Sequence, residues 1–306
     1  MSSILNCPVC DHPFDEGDAK STAYPQAGTA GFGPMPRSIH FCPECQAGFI
    51  TTVINQEELD RYYQQGRYWD QSFNRLSIHT HPGQFVLAQS RWDIIKNQMS
   101  AGECSILDIG AGQAFLGWIA AKDPSVSVER YCAVESDDNL RASVQKTWSA
   151  GAIDAKLSLK ESLDHVEGRY DLIVLSHILE HISRPQEFLR QALSFLTGDG
   201  LLFIDVPNQD YRFKPDVFPH LLFFDIMSLT RLIQHSGLSV LSINTYGPSI
   251  TQKLKRPGAM ERTLERCVYR FRKILPSAAL QGFFSGHFKV NRCQEDGLWL
   301  RALARR

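Results

Sequence analysis

At 306 residues, 43% hydrophobic and 21% charged with a formal net charge of −1, the chain has the make-up of an ordinary globular protein. It is long enough for one large domain and a small appendage. No run of 18 apolar residues occurs, which excludes a hydrophobic membrane span, and the stretch Met1 to Cys7 lacks the basic and apolar segments of a secretion signal. The expected compartment is the cytoplasm, where thiols stay reduced and cysteines serve as ligands or core residues.

The first element is a cysteine cluster. Cys7-Pro-Val-Cys10 and Cys42-Pro-Glu-Cys45 are two C-P-x-C knuckles, each offering two thiolates from one tight turn. Two knuckles complete a tetrahedral Zn2+ site with no open position, so the zinc is expected to be structural. His12 and His40 are the alternative ligands, and unmetallated thiols the alternative state. The ribbon carries Lys20 and Arg37 against Asp11, Asp15, Glu16, Asp18 and Glu44, a poor surface for phosphates, so nucleic acid is not an expected partner. Residues 1–52 therefore read as a zinc-ribbon domain. The remaining four cysteines, Cys104, Cys132, Cys267 and Cys293, stand among apolar neighbours and are expected in the core.

Residues 53–104 have a helical texture, dense in aromatics at Tyr62, Tyr63, Tyr68 and Trp69, and Pro82 opens an amphipathic helix. From residue 105 the pattern alternates. Strands are expected at 105–110, 129–134, 156–159, 171–176, 200–205 and 238–245, with helices between them at 115–121, 185–196 and 224–236. Such alternation gives a parallel, doubly wound sheet whose ligands lie at the strands' C-terminal ends.

The stretch Ser105 to Gly117 is the centre of this domain. A buried strand around Asp108 meets a turn at Gly110 and Gly112, and a helix restarts at Phe115. Glycine there accepts unusual backbone angles and lets a ligand approach the main chain, and a helix start favours polar or anionic groups. Phe115 stands where a dinucleotide fingerprint needs its third glycine. About 20 residues on, Glu135 ends the second strand, where a carboxylate can accept both hydroxyls of an adenosine ribose. The alternative is a surface Glu capping the helix from Asp137. Then follow Tyr170-Asp-Leu-Ile-Val-Leu-Ser-His-Ile-Leu-Glu-His-Ile-Ser-Arg-Pro185 and Gly198 to Asn208.

These four stretches, in this order and spacing, resemble the motifs of class I S-adenosylmethionine (SAM) dependent methyltransferases, with Ala114 in place of the last glycine of the first motif. The resemblance implies a Rossmann-like, doubly wound seven-stranded α/β sheet over residues 105–306. Its last strand, antiparallel, would fall near Gly297 to Leu303. It also implies SAM as cofactor, held by Asp108, Gly110, Gly112, Glu135, Ser136 and Ser176, with Glu161 or Ser162 near the adenine. The segment before the first motif would fold over the cofactor as a lid. Bacterial methyltransferases of sugar, polysaccharide and secondary-metabolite pathways share this arrangement, so the expected acceptor is a hydroxyl on a small molecule or glycan. The alternatives are an RNA methyltransferase and a SAM-fold module that binds a partner without catalysis.

Transfer to a hydroxyl needs a base near the strand ends. His220, in the loop after strand five, is the first candidate and His177, directly after strand four, the second, while His181 is expected to be structural. His177-Ile-Leu-Glu180-His181 also matches a zinc-peptidase string, but it starts at the end of a strand rather than within a helix. Residues 247–295 form a helical insertion before the last strand. Its helix at 261–275 has an apolar face (Leu264, Cys267, Val268, Phe271, Leu275) and a basic stripe (Arg262, Arg266, Arg270, Lys273). Residues 253–273 hold eight basic and two acidic side chains, a net of +6, against −7 for the rest of the chain. Such a stripe suits a solvated face, an anionic acceptor or a membrane surface.

Overall fold

The computed structural model describes residues 4–26, 36–52, 77–99, 102–254 and 259–306. Tyr62, Tyr63, Tyr68 and Trp69 lie outside the described residues.

The central strands of the main sheet are apolar runs buried on both faces. Its strands are β6 (Glu103–Ile109), β7 (Ser127–Val134), β8 (Lys156–Lys160), β9 (Tyr170–Ser176), β10 (Leu196–Pro207), β12 (Ser239–Ser249), β13 (Arg292–Cys293) and β14 (Gly297–Arg305). They lie in the order β13-β12-β14-β10-β9-β6-β7-β8. β6 pairs in parallel with both β7 and β9, and β9 with β10, whereas β14 inserts antiparallel between β10 and β12. The strand order reverses between β6 and β9, so both open a crevice at their C-terminal ends, at Ile109–Gly110 and Ser176–His177.

Helices cover both faces: α1 (Pro82–Lys96), α2 (Phe115–Ala120), α3 (Asp138–Ala150), α4 (Pro185–Leu193) and α5 (Ile226–His235), followed by α6 (Ile250–Leu254), α7 (Ala259–Phe271) and α8 (Ser277–Phe288). Local chemistry sets their starts. Pro82 and Pro185 open α1 and α4. The Asp137 carboxylate caps α3 by accepting from the backbone of Asn139 and Leu140, and Asp225 with Ser228 makes a capping box on α5. One core layer runs under α1, α2 and α3 around Trp92, Tyr131 and Phe203. The other runs under α4 and α5 and continues without a break into the ribbon through Cys7, Val9, Cys42, Cys45 and Phe49.

After a hairpin of β1 (Ile4–Asn6) and β2 (Pro13–Asp15), the ribbon strands β3 (Lys20–Ala23), β4 (Ser38–Phe41) and β5 (Gly48–Phe49) form a second sheet whose outer strand is β11 (Leu222–Phe223), which comes from the loop after β10. The ribbon thus shares backbone pairing as well as core with the methyltransferase-like part. Two expectations need correction. Cys267 is exposed and Cys293 only half-buried, and of the apolar face of α7 only Val268, with Leu275 beyond the helix, packs inward. The physical reason is that α7 meets the rest of the insertion along one narrow edge, while Cys293 lies in β13 at the edge of the main sheet. Among the described residues no helix is long and apolar enough to cross a membrane.

Candidate active site

At the first turn, Gly110 takes φ +70° and Gly112 φ +54°, angles that glycine reaches without strain. Ala114 takes φ +55° as well, in the left-handed region, so the one departure from the glycine pattern costs local backbone energy. The turn differs from the expected bare row of amides. Gly110 N and Ala111 N donate to the Val134 carbonyl at 2.8 and 3.1 Å, and a Cβ on Gly110 would sit 2.0 Å from Ile178 Cδ1. Glycine is required at Gly110 because Ile178 lies over it. The next part of the turn, Gly112 and Gln113, is buried behind it.

Glu135 faces that part. Its Oε2 accepts from Gly112 N at 2.9 Å and its Oε1 from Asp137 N at 3.1 Å, and burial pushes its carboxyl above the usual range. Gln113 beside it is buried, and neither Oε1 nor Nε2 of its amide has a partner among the described residues. A buried orphan amide next to a carboxylate with spare lone pairs needs a polar occupant. The donor set fits an adenosine ribose. Ser136 is exposed beside Glu135, Ser176 half-buried at the end of β9, and Glu161 exposed and 3.5 Å from His165. Asp108 lies deeper than expected: it is buried beneath the turn and accepts the Tyr131 hydroxyl at 2.6 Å. Burial pushes its pKa up to about 7.

The second half of the site is a histidine–carboxylate network. His177 sits directly after β9 at φ +57°, a strained angle for a residue with a Cβ. Its backbone N–H is tied to the Asp205 carbonyl at 2.8 Å, and its imidazole is 38% exposed, with Nδ1 3.2 Å from Glu180 Oε1. Glu180 is 1% exposed. Burial would raise its pKa, but His177, His181 and His220 around it hold it below the usual range. Behind it, His181 is pushed down to about 4 by burial, and its ring meets that of His220 edge-on at 4.8 Å. His220 is 5% exposed, with Nδ1 2.9 Å from Asp210 Oδ2. Asp210 is itself 2.9 Å from Lys214 Nζ; despite burial, His220 and Lys214 bring it down to about 2.

The loop that carries His220 is held from two sides. On one side Leu221 N donates to the Glu180 carbonyl at 2.7 Å. On the ribbon side Tyr24 Oη donates to the His220 carbonyl at 3.0 Å, Val217 N to Pro25 O at 3.1 Å and Ile50 N to Leu221 O at 3.2 Å, next to the β5–β11 pairing. Beneath His177, Asp205 is fully buried between Arg91 Nε at 2.5 Å and Arg301 Nε at 3.2 Å. Burial would raise the Asp205 pKa, but Arg91 and Arg301 hold it low. Tyr24 and Arg91 carry no local signal that singles them out, because their partners His220 and Asp205 are remote in sequence; Glu180 stands within the His177-Ile-Leu-Glu180-His181 string and Asp210 four residues before Lys214, but nothing in the sequence shows that both carboxylates are buried.

In the ribbon, Cys7 Sγ and Cys45 Sγ are 3.5 Å apart, Cys10 Sγ and Cys42 Sγ 3.6 Å, and all four sulfurs fall within 4.8 Å of one another. A tetrahedral Zn–S distance of about 2.3 Å gives a sulfur–sulfur edge of about 3.8 Å. The Cys45 thiol hydrogen-bonds Cys7, which pushes Cys7 well above the ordinary thiol range and brings Cys45 down to about 6. Four thiolates there need a cation. His12 and His40 are not among the clustered ligand atoms.

The comparisons with known proteins agree with this geometry. A methyltransferase-domain family matches residues 59–243, more than half of the chain. This chain belongs to that family, the class I SAM-dependent methyltransferases. It is 31% identical over 107 residues to a ubiquinone biosynthesis O-methyltransferase of Parvibaculum lavamentivorans, covering 35% of this chain and 41% of the relative. It is 22% identical over 164 residues to one from Xanthomonas euvesicatoria, covering 51% and 63%. The match thus spans about two fifths to three fifths of these relatives' length. Among solved structures, a chain from the complex of the Haloferax volcanii Trm112 methyltransferase activator with a methyltransferase superposes with TM-score 0.50 at 10% identity, covering 81% of this chain and 96% of that one. That likeness concerns the fold alone.

Proposed function

We propose that this methyltransferase moves the methyl group of SAM to a hydroxyl of a small organic acceptor, with His177 as general base. The observation that carries the reading is a half-exposed imidazole at the C-terminal end of β9, its Nδ1 3.2 Å from a buried carboxylate. SAM, when bound, supplies an electrophilic methyl for in-line displacement. Glu135, Gly112 and Gln113 would hold its adenosine, with Ser136 at the rim. The Glu180 carboxylate, held below the usual range against its burial chiefly by the His177 hydrogen bond, selects the Nδ1–H tautomer of His177 and leaves Nε2 to accept the hydroxyl proton. The same carboxylate stabilises the imidazolium that results. Oriented in this way, a base contributes about 10²–10⁴-fold to rate.

His220 takes a positioning role in this scheme. Buried with Asp210 and against His181, it fixes the wall behind Glu180 and the loop that borders the acceptor. The names of the relatives support oxygen as the methylated atom. The four ribbon cysteines hold a structural Zn2+ that takes no part in the chemistry and ties down the His220 loop.

The test is kinetic. His177→Asn and Glu180→Gln should each lower kcat for a hydroxyl acceptor by 10²-fold or more, with the Kd for S-adenosylhomocysteine within twofold of wild type. Retention of kcat within threefold in His177→Asn removes His177 from the chemistry.

A further inference from the structure

Helix α7 and the turn after it carry a surface that neither the cofactor crevice nor the histidine network uses. The helix is anchored by one edge. Val268 and Leu275 join a small core with Ile78, Val86, Leu280 and Phe284, and Glu265 reaches His287 at 3.4 Å. A second apolar stripe points elsewhere. Met260, Leu264, Cys267 and Phe271 recur at intervals of four, three and four, which places them on one line of the helix surface, and Ile274 follows in the turn after it. All five are exposed, the four large ones between 51% and 86%.

Exposed apolar side chains scattered singly need no explanation, but four aligned on one helix and continued by Ile274 in the next turn do. Along the far edge of the stripe run Arg266, Arg270 and Lys273, all exposed. A solvated face accounts for the cations but not for the stripe. A second copy seated stripe to stripe would bring the two rows of cations together. An anionic lipid surface satisfies both features: the apolar residues enter the acyl boundary while the arginines and the lysine meet headgroup phosphates.

We propose that α7 docks this protein on anionic bilayer surfaces, with Met260, Leu264, Phe271 and Ile274 inserted and Arg266, Arg270 and Lys273 on the headgroups. The test is co-sedimentation of the full chain with vesicles of phosphatidylcholine alone or with one third phosphatidylglycerol. The wild type should pellet with the anionic vesicles only, and less so in 0.5 M salt. Leu264→Asp with Phe271→Asp, and separately Arg266→Glu with Arg270→Glu, should each weaken partitioning at least tenfold. Unchanged affinity for S-adenosylhomocysteine in each variant shows that the fold is intact. A wild type that stays in the supernatant, or a charge-reversed variant that binds as well as wild type, overturns the proposal. So does a dimer seen by light scattering that Leu264→Asp with Phe271→Asp dissolves, since the stripe would then belong to a second copy.

Discussion

Tyr24→Phe separates the ribbon's effect on the His220 loop from cofactor binding. The Tyr24 hydroxyl is buried and donates to the His220 carbonyl at 3.0 Å, so the change removes one hydrogen bond and leaves that carbonyl without its donor. A buried group orphaned in this way costs about 1–3 kcal/mol. A loss of about 2 kcal/mol shifts a local opening equilibrium roughly 30-fold. Amide exchange at residues 217–223 should therefore accelerate by about that factor, and kcat should fall as the loop spends more time displaced from Glu180. Affinity for S-adenosylhomocysteine should not change, because Glu135, Gly112 and Gln113 sit at the ends of β6 and β7, away from the loop. Exchange rates and kcat equal to wild type would refute the idea that the ribbon holds the loop. A parallel loss of cofactor affinity would refute the separation of the two half-sites.

Three further outcomes follow from buried charge and sulfur. Metal analysis of the purified chain should give one zinc per molecule, and Cys42→Ser should lose it while reproducing the exchange pattern of Tyr24→Phe more strongly; a metal-free wild type with the same stability would exclude the site. Asp108, with its pKa raised to about 7 in the folded chain, favours folding in its protonated form. That contribution is full below about pH 4 and is lost as pH rises towards 7, so thermal scans should show Asp108→Asn gaining stability over wild type at pH 8 and little difference at pH 4; a gap independent of pH would contradict the burial argument. Asp205→Ala strands Arg91 and Arg301 and should cost about 3–5 kcal/mol in denaturant unfolding, whereas a cost below 1 kcal/mol would mean the triad is not closed in solution.

The parts of this architecture that local pattern can carry were readable from the chain. The central parallel strands are short runs of buried residues, as in Tyr170–Ser176, and the glycine pair after β6 announces a tight turn that needs glycine at Gly110. The four cysteines are found by spacing because chelation by a tight knuckle is itself a local property. What escapes are contacts made across the fold. Nothing near Tyr24 indicates that it meets His220, 196 residues away, or that Leu222 and Phe223 complete the ribbon sheet. His220 stands out as a histidine in a substrate-side loop, yet its burial against Asp210 follows from how that loop packs on His181. The sequence places both His220 and His177 near the strand ends, but not the buried Glu180 carboxylate 3.2 Å from His177. In α7 the periodicity reports an amphipathic helix without saying which apolar residues meet the core.

Calorimetric titration of the wild type, Glu135→Gln and Glu135→Ala with S-adenosylhomocysteine bears most directly on the whole account. In the proposed site Glu135 joins the glycine turn to the adenosine, so the wild type should bind, and Glu135→Ala should bind at least tenfold more weakly, a loss of about 1.4 kcal/mol or more, with Glu135→Gln between them. A folded wild type that gives no binding heat, or three proteins with one affinity, would contradict it.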